Sequence, residues 1–168
     1  MDKKTRQIVH AAMIAALYVV LTHLQNIILP GSATWAIQCR LSETLCVLAF
    51  FTPAAIPGLA VGCLVFNISY AGALPLDFLV GTLATFLAAG GMWLTRNWTV
   101  KGLPLVGLTM PAVTNAFLVG WELTAFIGGG FWINALYVAL GELIVLLTFG
   151  VFFYRVIKNQ HLDSRMFG

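Results

Sequence analysis

Runs of about 20 apolar residues recur along this sequence, and they restrict its possible folds more than any single motif does. An α-helix of that length crosses the hydrocarbon core of a bilayer, which is about 30 Å thick. Hydrophobic residues make up 60% of the 168 positions and charged residues only 9%. A soluble domain of this size could not bury so much apolar surface. We therefore predict an all-α, multi-pass membrane protein with a single domain over residues 1–168.

The apolar runs predict six transmembrane helices, and the predicted bounds are Gln7–Leu29, Ser42–Phe51, Ala54–Tyr70, Pro75–Leu94, Leu103–Leu123 and Trp132–Tyr154. The first run follows the basic segment "MDKKTR". It is too long for the apolar part of a signal peptide and has no small-residue cleavage site, so we expect a retained helix. The second run is short and has to include part of the preceding segment 37–43 in order to span a bilayer.

The distribution of charge predicts the orientation of these spans. With both termini in the cytoplasm, the inner segments hold eight of the nine basic residues, as the positive-inside rule requires. Arg40 is the exception, and it falls in the outer half together with four acidic residues, which are Glu43, Asp77, Glu122 and Glu142. Charged groups inside a membrane face protein or water rather than lipid. We therefore expect a polar pocket that opens outward.

Helical spacing supports this pocket. Arg40 and Glu43 are three residues apart and share a helix face, and Asn115 and Glu122 are seven apart on one face of the fifth span. Glu142 lies about 15 Å along the last span, too deep for a solvated surface position.

Each charged group also has a simpler explanation, and the sequence leaves these alternatives open. Arg40 and Glu43 are also consistent with an interfacial ion pair, and Asp77 after Pro75 with an N-terminal helix cap. Glu122, beside Trp121, also fits the headgroup region, and Glu142 also fits a hydrogen bond between spans.

Several chemistries are missing from the sequence. It has no phosphate-binding glycine loop with a lysine, so we expect no ATP use by this chain. The three cysteines and three histidines lack metal-ligand spacing, and the basic residues are too few for nucleic-acid binding. We expect no enzyme activity, no metal and no cofactor.

The first span carries small residues at a spacing that permits close helix packing. Ala11 and Ala15 are four residues apart, as are Ala12 and Ala16, and Gly58 and Gly62 repeat the spacing in the third span. Such stripes serve either a partner protein or packing within the same bundle.

Longer segments resemble a known family. "IQCRLSETLCVLAFFTPAAIPGLAVGCLVFN", "PLDFLVGTLAT" and "LGELIVLL" are similar to the QueT-type queuosine-precursor transporters, which are substrate-binding S components of energy-coupling factor (ECF) transporters. The resemblance implies a multi-pass protein of the prokaryotic plasma membrane. It implies binding of a 7-deazaguanine outside the cell, and partnership with a transmembrane scaffold protein and two ATPase subunits. The stripes formed by Ala11, Ala12, Ala15 and Ala16 would contact that scaffold.

For such a ligand we expect the binding residues to be Arg40, Glu43, Asn67, Asp77, Asn115, Trp132 and Glu142. Glu43 or Glu142 would accept the N–H and NH₂ groups of the base edge, because one carboxylate can accept two adjacent donors. The other, or Asp77, would lie near the substituent, and Trp35 or Trp132 would cover the ring. Segment 30–38 is a candidate lid. Two alternatives remain, namely an S component for another vitamin-like ring compound and a proton-coupled membrane carrier.

Overall fold

The computed structural model describes residues 2–30, 32 and 39–167, and its helices account for about four fifths of them. The elements are α1 (Lys3–Ile28), a 3₁₀ helix (Leu41–Phe50), α2 (Ala55–Ser69), α3 (Asp77–Leu94), α4 (Leu105–Phe126), α5 (Phe131–Val145), a π-helical segment (Leu146–Gly150), α6 (Val151–Asn159) and α7 (Leu162–Phe167). The described residues form no strand. The prediction of an all-helical protein is confirmed.

Length and composition identify the helices that suit a bilayer. Within the described residues, α1, α3 and the continuous helix Phe131–Asn159 are long and apolar enough to cross a membrane. The 3₁₀ helix and α2 are apolar but shorter. The number of spans and their orientation stay predictions.

The helices run up and down a single bundle. In the chain the 3₁₀ helix lies between α1 and α2, yet α1 packs directly against α2, and α2 to α5 each pack against the next helix. The 3₁₀ helix contacts every helix but α7. Eight of its ten residues are buried, which explains why this segment is apolar on nearly all sides.

The 3₁₀ geometry of Leu41–Phe50 compensates for its shortness. A 3₁₀ helix rises about 2.0 Å per residue, so ten residues extend about 20 Å, against about 15 Å for an α-helix. The sequence "TPAAIPG" follows directly, and the turn there ends the segment before α2 begins.

The core of the bundle is divided by polarity. One end carries the described chain termini, and we call it the terminal end; the opposite end is the far end. Apolar side chains such as Ile14, Val47 and Leu59 form the core of the terminal half. Buried polar side chains concentrate in the far half, and they include Thr22, Gln25, Ser42, Glu43, Asn67, Asp77, Asn115, Glu122 and Glu142.

Small residues bring α1 and α2 into close contact. A Cβ atom on Gly58 would lie 2.7 Å from the Ala11 carbonyl oxygen, and one on Gly62 would lie 3.0 Å from that of Ala15. Ala11 and Ala15 are half-buried in this contact, whereas Ala12 and Ala16 are exposed. The second pair is therefore the more accessible to a partner in this structure.

The chain ends in a short helix that folds back toward α1. The ring of Phe167 in α7 meets the His10 ring edge-on at 5.3 Å. Lys158 donates a 2.8 Å hydrogen bond to Asp163, and this bond lowers the pKa of that carboxyl group.

Candidate functional site: a buried cluster of carboxyl groups

The start of the 3₁₀ helix is fixed to α1 through one glutamine. Gln25 accepts a 2.7 Å hydrogen bond from the Leu41 amide and donates a 2.6 Å bond to the Cys39 carbonyl oxygen. Thr22 donates to the Ser42 hydroxyl at 2.8 Å. These bonds hold the segment that carries Arg40 and Glu43 against the interior of the far half.

Glu43 is fully buried and has donors on both carboxyl oxygens. The Tyr18 hydroxyl donates to Oε1 at 2.8 Å, and the Cys46 thiol donates to Oε2 at 3.0 Å. Each oxygen therefore has a protein donor, and Glu43 links α1 to the 3₁₀ helix.

Arg40 is the basic residue at the centre of the cluster. Its side chain is 5% exposed, and its Nη1 atom approaches the Cys63 sulfur at 4.0 Å. Its guanidinium carbon lies 6.0 Å from the centroid of the Phe66 ring. The guanidinium acts electrostatically on all four acidic side chains of the far half, which are Glu43, Asp77, Glu122 and Glu142.

Asn67 and Asp77 join α2 to α3. Asn67 donates a 2.7 Å hydrogen bond to the Asp77 carbonyl oxygen, and Asp77 Oδ2 accepts a 2.7 Å bond from the Leu74 amide. Asp77 is the first residue of α3, where a negative charge interacts favourably with the helix dipole. Gly81 provides the space, because a Cβ there would lie 2.8 Å from Asn67 Nδ2.

Asn115 and Glu142 join α4 to α5. The Asn115 amide donates a 3.1 Å hydrogen bond to Glu142 Oε1, while Oε2 has no partner among the described residues. The helix changes to π geometry four residues after Glu142. Short π segments occur often at functional sites.

Glu122 faces the inside of the bundle. Its side chain is 0% exposed, whereas its neighbour Trp121 is 52% exposed. The interior position argues against the headgroup alternative.

The structure brings together six of the seven predicted binding residues, which are Arg40, Glu43, Asn67, Asp77, Asn115 and Glu142, all of them buried. It does not bring in Trp132, which is 74% exposed and contacts the Phe131 ring. Trp35 lies outside the described residues, as does nearly all of the candidate lid 30–38.

Sequence reasoning missed Tyr18 and Cys46 as members of the cluster. From the sequence the cysteines were considered as metal ligands, but the Cys46 thiol donates to Glu43. The available signal was spacing, because Cys46 follows Glu43 by three residues and so shares its face.

The cluster is suited to a ligand rich in hydrogen-bond donors. Four acidic side chains surround one arginine, so acceptors outnumber cationic donors. No group of His, Cys, Asp or Glu in the described part of the chain has the arrangement of a metal site.

A family comparison identifies the chain. The model of the QueT transporter family matches residues 8–159. The chain belongs to the QueT transporter family. The match includes every residue of the buried cluster, and with the apolar helices it makes this QueT-family chain a membrane transporter protein. Searches of curated proteins and of solved structures gave no match.

Proposed function

We propose that this protein is the substrate-binding S component of an ECF transporter and that it captures a 7-deazaguanine precursor of queuosine. It is not an enzyme. It spans the plasma membrane of a prokaryotic cell six times, with both termini in the cytoplasm. Basic residues near the terminal end, such as Lys3, Lys4, Arg155 and Lys158, support this orientation.

The observation that carries the proposal is the buried polar cluster in the far half. Arg40, Glu43, Asn67, Asp77, Asn115 and Glu142 line or support the binding site. A deazaguanine offers an N–H and an adjacent NH₂ group to a carboxylate, and its carbonyl oxygen accepts from a donor such as Arg40. An aminomethyl substituent is cationic, and a second carboxylate would balance its charge.

The division of the core favours capture from one side over transport by a proton relay. Ile14, Val47, Leu59 and other apolar side chains form the core of the terminal half, and a proton relay needs ionisable groups at that depth. Translocation would therefore depend on partner proteins, namely a transmembrane scaffold and two ATPase subunits.

Ligand binding tests the proposal directly. The protein is purified in detergent and titrated by calorimetry with 7-cyano- and 7-aminomethyl-7-deazaguanine, with guanine and riboflavin as controls. We expect submicromolar binding of a deazaguanine and at least a tenfold preference over both controls. Tight binding of riboflavin instead would favour an S component for another ring compound, and binding of none of the four would contradict the proposal.

The partner surface has a separate test. Ala12 and Ala16 form an exposed small-residue stripe on α1, and we propose that the scaffold protein packs there. The double variant Ala12→Leu/Ala16→Leu should lose co-purification with the scaffold and keep ligand affinity. Ala125→Leu, at an exposed alanine of α4, is the matched control. Full assembly of the double variant would exclude this surface.

A further inference from the structure

The three glutamates of the far half differ in how many of their carboxyl oxygens accept a hydrogen bond from the protein. Glu43 accepts hydrogen bonds from Tyr18 and Cys46, one on each carboxyl oxygen. Glu142 receives Asn115 on one oxygen only. Glu122 has no hydrogen-bond donor on either oxygen among the described residues, although its side chain is fully buried.

A buried carboxyl group without donors is unfavourable. An unsatisfied buried polar group loses its hydrogen bonds to water without replacement, and the cost is larger when the group is charged. The charged groups that act on Glu122 are Asp77 and Arg40. The Asp77 carboxyl group lies within hydrogen-bonding reach and repels Glu122 when both are ionised, whereas Arg40 attracts it. When both carboxyl groups are ionised, the described residues therefore provide no donor to either Glu122 oxygen, as expected of a residue reserved for a ligand.

The position of Glu122 relative to the other glutamates fits a ligand of one ring system. Asn115 and Glu122 are both buried on α4, and their separation of seven positions corresponds to about 10 Å along the helix. Because Asn115 is hydrogen-bonded to Glu142, Glu142 lies at the height of Asn115 along the bundle. The oxygens of Glu122 and Glu142 that have no donor therefore lie at two different heights inside the bundle. A fused two-ring base with a short substituent has a comparable length.

We propose that Glu122 accepts the N–H and exocyclic NH₂ groups of the deazaguanine edge and so determines specificity for guanine-like bases. This assignment rests on the proposed function and replaces Glu43 and Glu142 in that role. Neither Glu122 oxygen has a donor among the described residues, whereas each Glu43 oxygen and one Glu142 oxygen already accept a hydrogen bond from the protein. Glu142 is left for a single donor on the substituent.

The test is a thermodynamic cycle in which one group is changed in the protein and one in the ligand. Wild type and Glu122→Gln are each titrated calorimetrically with 7-aminomethyl-7-deazaguanine and with the analogue that lacks the exocyclic amine, 7-aminomethyl-7-deazahypoxanthine. We expect the wild type to bind the analogue at least tenfold more weakly. Glu122→Gln should bind the parent ligand at least tenfold more weakly and should discriminate less than threefold between the two, because coupled groups give non-additive effects.

Control variants separate recognition from folding. Glu43→Gln, which alters a carboxyl group that has its own donors, should weaken both ligands by the same factor and keep the discrimination of the wild type. Glu122→Asp keeps the charge, and we expect it too to lose discrimination because its carboxylate is withdrawn by one methylene. Thermal unfolding and gel filtration verify that each variant is folded. If Glu122→Gln does not fold, the discrimination measured for Glu122→Asp tests the role of Glu122.

Two results would overturn the proposal in distinguishable ways. If the wild type binds the parent ligand but both Glu122 variants retain its discrimination, the assignment of Glu122 is wrong and the proposed function stands. If the wild type binds neither deazaguanine nor the analogue, the proposed function fails and the assignment fails with it.

Discussion

The close contact between α1 and α2 allows a quantitative prediction of how alanine substitutions at two glycines change the stability of the bundle. A Cβ atom on Gly58 would lie 2.7 Å from the Ala11 carbonyl oxygen, and an ordinary contact begins at 3.4 Å. The obstacle is backbone, so Gly58→Ala requires the helices to separate by about 0.7 Å (3.4 minus 2.7). Overpacking of this kind costs about 1–3 kcal/mol.

Gly90 is the matched control because it is also helical and a Cβ there meets nothing within 4 Å. Both substitutions gain helix propensity, about 0.5–1 kcal/mol. That gain cancels in the comparison, so Gly58→Ala should be less stable than Gly90→Ala by about 1–3 kcal/mol. Gly90→Ala should be at least as stable as the wild type.

Reversible unfolding in mixed micelles with increasing dodecyl sulfate, followed by far-ultraviolet circular dichroism, measures this difference. Equal stability of the two variants would refute the packing of Ala11 on Gly58. It would also return Ala11 and Ala15 to the surface available for a partner, which is the alternative that the close contact argues against.

Three further substitutions test the cluster. Tyr18→Phe removes the donor to Glu43 Oε1 and should lower the unfolding free energy by about 1–3 kcal/mol, measured by the same titration; an unchanged value would remove this bond from the stabilising contacts. Gly81→Ala places a Cβ 2.8 Å from Asn67 Nδ2 and should weaken deazaguanine binding at least threefold in calorimetry, and full affinity would show that Asn67 does not position the site. Glu142→Gln should weaken the aminomethyl ligand at least tenfold more than the cyano ligand, and equal losses would place the substituent elsewhere.

The class of fold and the half of the bundle that carries polar groups followed from the sequence. Backbone groups in lipid must be hydrogen-bonded within the chain, so long apolar runs with few charges leave helices as the solution. Because an α-helix advances about 1.5 Å per residue, sequence position also gives depth. Depth alone placed Glu43, Asp77 and Glu142 in one half.

The state of each carboxyl group was decided only by the tertiary structure. Periodicity gives the residues that share a helix face but not the rotation of that helix against its neighbours, which depends on contacts such as Gly58 with Ala11 and Gly120 with Ala135. These contacts turn Glu122 inward and leave Trp132 exposed at the surface.

The same packing supplied the donors that sequence reasoning did not foresee. Tyr18 is 25 residues from Glu43 in the chain, and their hydrogen bond exists because α1 and the 3₁₀ helix are adjacent. Hydrogen-bond satisfaction is a property of pairs of side chains from different helices, whereas a sequence pattern describes one helix at a time. The sequence therefore determined which acidic residues share the far half. The tertiary structure decided that Glu43 is occupied by protein donors and that Glu122 is not.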